Sequence, residues 1–479
     1  MSEAIGPSTA DALELTLDHA AAAPLAEQIF QGIRNAIHQG RIAPDARLPS
    51  WRSLSVQLGV ARGTVRSAYD RLADEELIVT AGPAGTRVAR RIPTVAAPTV
   101  VISPPLLAML PSFSEVPRPF QMGVPAQDAF PSTAWSRVNV AAARSESLAP
   151  TSYPDPRGEP SLRAEIVAHL AIARGLACSP DQVIVTQGYR AGLAVALRTI
   201  GAEGSSCWFE EPGYPIARMA LEIARVSPIS IPVDDEGIDV AEAVRRAPTA
   251  RIALVTPGQQ APTGAVLSRV RRHELLAWAR DAGAWIIEDD YLNELQLDGR
   301  PAQALAAEDP EGRVIHLGTF SKTLSPAISI GFLVAPPALA EQFGQAAACL
   351  HPSPNRSKQL ALARFMHEGH FLKHLRRMKA LYTERRKALL SCIGQAETGL
   401  GMGGLAVLLP LESGLDDVGI AGDCWRHGLA PAPLTPWYLT GGAKPGLLLG
   451  ITNLRAATVA AHWGQLSNII AARRANETN

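Results

Sequence analysis

Hydrophobic residues recur at helical spacing near the start of the chain, where one follows another every four positions: Leu25, Ile29, Ile33 and Ile37. This spacing is typical of the buried face of an α-helix. Ser50 is placed as the N-cap of a second, short helix that Gly59 would end, and a third helix is predicted over about residues 62–76. Two short apolar runs at 77–79 and 86–88 then predict a hairpin. Three helices and a hairpin indicate a winged helix-turn-helix.

Beyond residue 120 short apolar strands alternate with helical segments. Such alternation is typical of an α/β domain with helices on both faces of a sheet, and ligands of these sheets bind at the carboxyl ends of the strands. The predicted strands lie at residues 183–185, 205–209, 252–256, 284–288, 313–317 and 331–334.

Seven prolines between residues 91 and 119 predict a semi-rigid, extended linker, in which the apolar run 106–110 could dock on a neighbour. The fold class is therefore multidomain. We expect a flexible N-terminal arm (1–18), a winged helix-turn-helix (19–91), the linker (92–119) and an α/β effector domain (120–479), the last with a large part at about 150–345 and a small part at about 346–479.

Composition narrows the possibilities only slightly. The 479 residues carry no net charge, are 47% hydrophobic and contain five scattered cysteines, which argues against a disulfide framework or a zinc site and fits a reducing cytoplasm. No signal peptide or membrane span is predicted. Residues 19–91 hold ten arginines against six acidic residues, a modest excess that suits a nucleic-acid-binding module.

Lys322 is the first lysine in the sequence, between Ser321 and Thr323. Only an amine that can lose its proton attacks an aldehyde, and arginine cannot do so. Lys322 is therefore a candidate Schiff-base residue. The alternative is an arginine-rich composition in which six lysines carry no special meaning.

Several polar residues follow predicted strands and would meet at one sheet edge. Gly188, Tyr189 and Arg190 open a helix whose N-terminus would attract phosphate. Asp289 could keep a pyridine nitrogen protonated, Tyr291 could bind a ring hydroxyl, and the Thr319 and Ser321 hydroxyls near Lys322 could hold a phosphate. This combination indicates pyridoxal 5'-phosphate, with no metal. Taken singly, each carboxylate or loop is more often a simple cap or connection.

Polar side chains in the first turns of the predicted third helix would face DNA. The run from Leu48 to Leu72 resembles the DNA-binding domain of GntR-type bacterial regulators, and the resemblance implies operator contacts by Arg52, Arg62, Thr64 and Arg66. Ala61 and Ala81 depart from the family pattern, which usually has a hydroxyl residue and a polar wing residue there. The alternative is that these arginines form a solvated face.

The remainder of the chain resembles a fold-type I aminotransferase and, with the N-terminal module, the MocR branch of the GntR family. The resemblance implies Lys322 as the Schiff-base lysine, Asp289 on the ring nitrogen, Tyr291 on the ring hydroxyl and Tyr214 beside the cofactor. It further implies a homodimer in which Tyr153 reaches the partner's phosphate. The segments that carry it are Tyr153–Gly158, Glu210–Pro215, Pro262–Gly264, Ile286–Tyr291 and Gly318–Leu324.

At three positions this sequence has a different residue from the one that aminotransferases usually carry. Ser329 stands where an arginine usually binds the cofactor phosphate, so that Arg190 would have to substitute. Ala261 replaces an asparagine. The apolar stretch 447–449 replaces an arginine that clamps the substrate carboxylate.

We therefore expect a DNA-binding regulator that senses an amine or amino-acid-like effector by aldimine exchange at Lys322. Two alternatives stay open. The first is an active aminotransferase with a fused DNA-binding module, in which residual transaminase activity persists. The second is a regulator whose degenerate site no longer binds the cofactor.

Overall fold

The computed structural model describes residues 15–18, 23–80, 85–90, 116–148, 153–299, 301–350, 354–394, 401–440 and 444–477. The chain divides into two compact units, 1–113 and 114–479. Most of the expected arm and linker, with the apolar run 106–110 and Ala81, lies outside the described residues.

The described residues of the first unit form three helices and a two-stranded hairpin. The N-cap prediction is confirmed, because the Ser50 hydroxyl accepts a 3.0 Å hydrogen bond from the Ser53 amide. Gly59 ends the second helix with φ 65°, a left-handed conformation that suits glycine. The elements are α1 (Leu25–His38), α2 (Trp51–Leu58), α3 (Arg62–Asp74), β1 (Ile78–Thr80) and β2 (Thr86–Val88).

An eight-stranded mixed sheet forms the centre of the second unit, in the order β3-β10-β9-β8-β7-β4-β5-β6. Its middle strands are parallel, whereas β10 runs antiparallel to both of its neighbours. The sequence pattern did not predict the two strands at the β5-β6 edge. The strands are β3 (Val183–Thr186), β4 (Ser206–Glu211), β5 (Ser227–Asp234), β6 (Gly237–Ile238), β7 (Ile252–Val255), β8 (Trp285–Asp290), β9 (Val314–Thr319) and β10 (Gly331–Val334).

A second, four-stranded antiparallel sheet has the order β11-β12-β14-β13. Because side chains alternate across a strand, Leu447 and Leu449 enter the main core while Leu448 joins a separate apolar cluster. The strands are β11 (Gly401–Gly403), β12 (Ala406–Pro410), β13 (Ala432–Pro433) and β14 (Gly446–Gly450).

Helices pack around both sheets. The longest, α12, buries an apolar face that includes Phe371, Met378 and Leu389. The helices of the second unit are α4 (Ser132–Ser147), α5 (Pro160–Arg174), α6 (Tyr189–Thr199), α7 (Pro215–Ile223), α8 (Val240–Arg246), α9 (Arg269–Ala282), α10 (Ala340–Leu350), α11 (Arg356–His367), α12 (His370–Ile393), α13 (Asp417–Arg426) and α14 (Val459–Glu477).

A buried charge network supports the ends of β8 and β9. Arg174 donates to Asp290 at 2.6 Å, and His316 lies 3.0 Å from Glu288 across the strand pair. Burial acts to lower the pKa of His316, but the Glu288 carboxylate outweighs it and raises that pKa. Glu288 also accepts the amides of Leu305 and Ala306, so both of its carboxylate oxygens are hydrogen-bonded.

Candidate functional site

Lys322 lies just beyond the end of β9, where its side chain is half-buried. Its Nζ donates a 2.9 Å hydrogen bond to the backbone carbonyl of Gly123, which is 199 residues away in the sequence. Gly123 has φ 76°, a backbone conformation that favours glycine, and a Cβ there would lie 2.8 Å from Nζ and displace the amine. Burial lowers the pKa of Lys322, and the charge of Arg190 acts in the same direction while Asp289 opposes it. A lowered pKa favours the neutral, nucleophilic amine.

Asp289 occupies the penultimate position of β8 and is 6% exposed. Its Oδ1 has no hydrogen-bond partner among the described residues. Burial raises the pKa of Asp289 to about 8, the neighbouring Asp290 and Glu210 act in the same direction, and Tyr189 and Lys322 act against it. The structure therefore presents a buried carboxyl group, with one oxygen free of hydrogen-bond partners in the described chain, on the Lys322 side of the sheet.

Aromatic side chains line the same region. Tyr189 opens α6, and its hydroxyl also has no hydrogen-bond partner in the described chain. Its ring centroid lies 6.5 Å from that of Tyr214, which lies 5.8 Å from that of Trp437. Burial raises the pKa of Tyr214 to about 12, so its phenol keeps its proton at neutral pH.

Tyr291 follows β8 and approaches the second sheet. A Cβ at Gly404 would lie 3.2 Å from the Tyr291 hydroxyl and 3.7 Å from Oε1 of Gln259. That Gln259 oxygen is buried and has no hydrogen-bond partner in the described chain. Burial raises the pKa of Tyr291 well above its usual value, and its hydroxyl therefore remains a hydrogen-bond donor.

Sequence reasoning missed Gln260, which organises the loop after β7. Its amide nitrogen donates to the Pro212 carbonyl at 2.7 Å, and its oxygen accepts from the Thr263 amide at 3.0 Å. The buried Glu210 accepts from the Thr256 amide at 2.9 Å beside it, and burial raises the pKa of Glu210 to about 7. A glutamine within a loop carries no sequence signal for this role.

Four expected residues lie on the side of the site that suits an anion. Gly188 precedes α6 with φ 86°, and exposed Arg190 follows at the second helical position without a hydrogen bond or ion pair to any described residue. Thr319 ends β9, and its hydroxyl accepts a 3.2 Å hydrogen bond from the Ser321 amide. Ser329 is exposed and adopts φ 55° after a 3-10 turn, where it supplies no charge.

Tyr153 is not part of this cluster. Its side chain is fully exposed, outside any helix or strand. Within one chain the structure therefore brings together Lys322, Asp289 and the residues at the N-terminus of α6. Tyr153 lies apart from them.

The candidate DNA-binding residues lie on α2 and in the first turns of α3. Arg62 opens α3 and is exposed, and Arg66 lies one turn later, 3.9 Å from Asp70. Arg52 packs over the Trp51 ring at 4.8 Å, while Thr64 is half-buried. The N-cap Ala61 provides no side-chain hydrogen bond to the helix, so the amides of its first turn lack that cap.

Among the described residues, every helix is too short or too polar to cross a membrane.

A helix-turn-helix unit with a hairpin and a fold-type I aminotransferase unit together define a GntR-type regulator with an aminotransferase-like domain.

Comparisons with known proteins bear this out. Residues 25–88 match the gntR family of bacterial regulatory proteins, and residues 123–408 match aminotransferase class I and II. The chain is 33% identical over 462 residues, 93% of each chain, to the probable rhizopine catabolism regulatory protein MocR of Rhizobium meliloti. It is 34% identical over 429 residues, 88% of this chain and 91% of the relative, to the pyridoxine biosynthesis transcriptional regulator PdxR of Corynebacterium glutamicum. The chain belongs to the MocR-type branch of the GntR regulators.

A solved structure supports the fold of the second unit. Kynurenine aminotransferase from Pyrococcus horikoshii superposes with a TM-score of 0.67 at 26% identity, covering 74% of this chain and 90% of that one. The predicted fold class and family resemblance are therefore confirmed.

The buried Asp289 carboxyl predicts a pH-dependent stability of the cofactor-free protein. Its folded pKa of about 8 lies above the ordinary 3.8, so its contribution to stability is complete below about pH 4 and is lost as the pH rises towards 8. Asp289→Asn cannot ionise. We therefore expect its melting temperature to exceed that of the wild type by at least about 2 °C at pH 8, with the difference shrinking towards pH 4.

Thermal unfolding of both cofactor-free proteins between pH 4 and 9 measures this difference. An exposed acidic residue, Asp281→Asn, serves as the control and should show no such trend. A difference between Asp289→Asn and the wild type that does not change with pH would contradict the assignment.

Proposed function

We propose that this chain is a transcriptional regulator that binds operator DNA through its first unit and pyridoxal 5'-phosphate through its second. It senses an amine or amino-acid-like effector at Lys322. The observation that carries the proposal is the presence of two groups in one site. The Lys322 amine is held by the Gly123 carbonyl, and one carboxyl oxygen of Asp289 has no hydrogen-bond partner among the described residues.

The residues present fit the cofactor. Buried polar atoms without partners are costly, and three of them surround this region: Asp289 Oδ1, the Tyr189 hydroxyl and Gln259 Oε1. Asp289 would hold the ring nitrogen and Tyr291 the ring hydroxyl, while Tyr214 would lie beside the ring. The α6 N-terminus, with Gly188 and Tyr189, would receive the phosphate together with Thr319 and Ser321.

When bound, pyridoxal phosphate supplies an aldehyde carbon on which one amine can replace another. Lys322 is the chain's own amine for that carbon, and its lowered pKa suits it to the role. An incoming effector amine would take its place and release the Lys322 side chain. To act as a signal, the effector must bind one conformation of the protein better than another. The released lysine and a closer fit around the effector would provide that difference.

Further parts of the proposal concern the assembly. We place the DNA-binding domain at residues 19–91, the linker at 92–119 and the effector domain at 120–479. The protein acts as a homodimer in which fully exposed Tyr153 reaches the partner's phosphate site. Such a dimer would present two DNA-binding units to two operator half-sites.

The two alternatives differ from this proposal in what they require. A degenerate site would be expected to fill its unpaired polar atoms with internal partners, and Asp289 has none for Oδ1 among the described residues. An active aminotransferase needs to hold an amino acid and then a keto acid, both of which carry a carboxylate, and the apolar Leu448 offers no charge to that group. Steady turnover of an amino donor with a keto acid would support the enzyme.

Lys322→Ala should abolish both the visible absorbance of the lysine-linked cofactor and the response to effector, because the Lys322 amine is the one that lies beside Gly123 and Asp289 in the candidate site. Lys373→Ala, on the exposed side of α12, is the matched control and should keep both. Absorbance spectra and operator binding with and without amines measure the two effects. Full absorbance and full response in the Lys322 variant would rule out the proposed role.

Arg190→Gln should weaken cofactor binding by about 1.5–3 kcal/mol, or roughly 10- to 100-fold, because Arg190 would carry the charge that Ser329 does not supply. Arg198→Gln on the same helix, where the arginine pairs with Glu203, is the control. Titration of cofactor-free protein measures both affinities. If instead Lys358→Gln weakened binding and Arg190→Gln did not, the charge would come from Lys358, whose Nζ lies 3.4 Å from the Ala327 carbonyl.

Arg62→Ala should weaken operator binding by about 1–3 kcal/mol and relax specificity at one base pair if the side chain reads a base edge. Arg34→Ala, on α1 and paired with Glu75, should leave binding nearly unchanged. Affinities for operator variants at fixed salt provide the comparison. Unchanged affinity in the Arg62 variant would remove this residue from the DNA-reading set.

A further inference from the structure

Trp51 is the first residue of α2 and directly precedes Arg52, one of the candidate DNA-binding residues. The guanidinium carbon of Arg52 lies over the Trp51 ring, 4.8 Å from its centroid. This arrangement is a cation–π contact, in which a cation is attracted to the face of an aromatic ring. The contact gives a side chain that is expected at DNA a defined neighbour within the protein.

The Trp51 ring is anchored on the core of the first unit. It is half-buried and packs against the apolar cluster that includes Leu54. The turn before it is also held, because the Tyr69 hydroxyl on α3 donates a 2.8 Å hydrogen bond to the Pro49 carbonyl. The ring therefore contacts the core with one part of its surface and Arg52 with another.

Backbone hydrogen bonds tie the segment before α2 to the hairpin. The Leu48 amide donates to the Thr86 carbonyl at 2.9 Å, and the Val88 amide donates to the Ala46 carbonyl at 2.9 Å. The start of α2 is therefore fixed to β2 as well as to α3. Because its first residue is Trp51, the ring is a rigid support for the side chain that lies over it.

The three candidate arginines differ in what holds them. Arg66 lies 3.9 Å from Asp70, and Arg62 is exposed at the first position of α3. In the described part of the chain, Arg52 is the one of the three whose guanidinium lies over an aromatic ring. An exposed arginine has many rotamers, and binding with a single one of them costs conformational entropy. A fixed ring beneath the guanidinium lowers that cost.

Stacking leaves the hydrogen-bonding edge of Arg52 available. A guanidinium is planar, its donors point outward within the plane, and an aromatic ring contacts it from above or below. A guanine edge or a phosphate accepts two such donors side by side. Arg52 can therefore bind DNA while it stays on Trp51. Removal of the pair from water at the interface strengthens the contact.

We propose that Trp51 is a positioning residue for DNA recognition, whose ring holds the Arg52 guanidinium in the orientation in which Arg52 binds operator DNA. This inference rests on the proposed function and gives a role to a residue outside the expected contact set. Trp51 acts through Arg52, so its effect on affinity requires the Arg52 side chain.

The test measures how full-length variants bind a DNA duplex that the wild-type protein has selected from a random-sequence pool. Trp51→Leu keeps an apolar side chain against the core but removes the ring, whereas Trp51→Phe keeps a ring. We expect Trp51→Leu to weaken binding by about five- to thirtyfold and Trp51→Phe by less than about threefold. Fluorescence anisotropy titrations at one fixed salt concentration give the affinities.

A double-mutant cycle decides whether Trp51 acts through Arg52. In an Arg52→Ala background, Trp51→Leu should change the affinity by less than about twofold, because no guanidinium is left to orient. Over single-base-pair variants of the duplex, the Trp51→Leu protein should lose discrimination at the positions where the Arg52→Ala protein does. A merely structural role of Trp51, or its own contact with DNA, predicts an effect that persists without Arg52.

Leu58→Ala is the matched control for lost packing. Leu58 is the last residue of α2, is half-buried and packs against the same apolar cluster as Trp51. The substitution should lower the melting temperature of the first unit but leave the affinity for the duplex within about twofold of the wild-type value, measured where both proteins are folded.

The outcomes separate the two levels of the account. If the wild-type protein enriches no sequence from the pool, the proposed DNA binding fails and the inference falls with it. If Arg62→Ala weakens binding but Trp51→Leu does not, DNA binding stands and the inference is overturned. A Trp51→Leu effect that persists in the Arg52→Ala background, or that Leu58→Ala reproduces, would also overturn it. Trp51→Met provides the same comparison if Trp51→Leu fails to fold.

Discussion

The buried carboxyl group of Asp289 is the constraint on which the rest of the second unit depends. Folding removes this group from water without giving Oδ1 a hydrogen-bond partner among the described residues. Such a group costs free energy comparable to a lost hydrogen bond or more, and the surrounding fold must offset that cost. The pKa of about 8 expresses the same cost, because the group keeps its proton when no cation is present. A bound cationic ring that donates a hydrogen bond to Oδ1 would remove this free-energy cost.

The alternation of β8 separates this group from its charged neighbours. Glu288 and Asp290 face His316 and Arg174, where the charges are paired, while Asp289 points the other way towards Lys322. Three consecutive acidic residues therefore serve two purposes. Two stabilise the strand ends through a buried network, and one is left available to a ligand. The network also limits how far the strand end can relax, which keeps Asp289 in place.

Much of this could be predicted from the sequence, because the relevant signals are local. The N-cap at Ser50, the strand-end positions of Asp289 and Thr319, and the lysine directly after β9 follow from short motifs. Contacts between distant segments could not be predicted. The Gly123 carbonyl lies 199 residues from Lys322, and the face of the sheet on which Leu448 lies depends on a strand register that a run of leucines does not reveal. The β5-β6 edge was missed because Pro228 and Pro232 interrupt the apolar pattern of β5. Proline is tolerated in a strand only at a sheet edge or at special positions, so such a segment is not readily predicted as a strand.

Borohydride reduction followed by peptide mass analysis tests the central claim most directly. Reduction fixes any amine joined to the cofactor aldehyde, and the chain offers six lysines. The account predicts a cofactor adduct on the peptide that contains Lys322 and on no other. It also predicts that saturating effector amine, added before reduction, leaves Lys322 unmodified and releases a reduced amine–cofactor conjugate. An adduct spread over several lysines, or a Lys322 adduct unchanged by every amine tested, would contradict it.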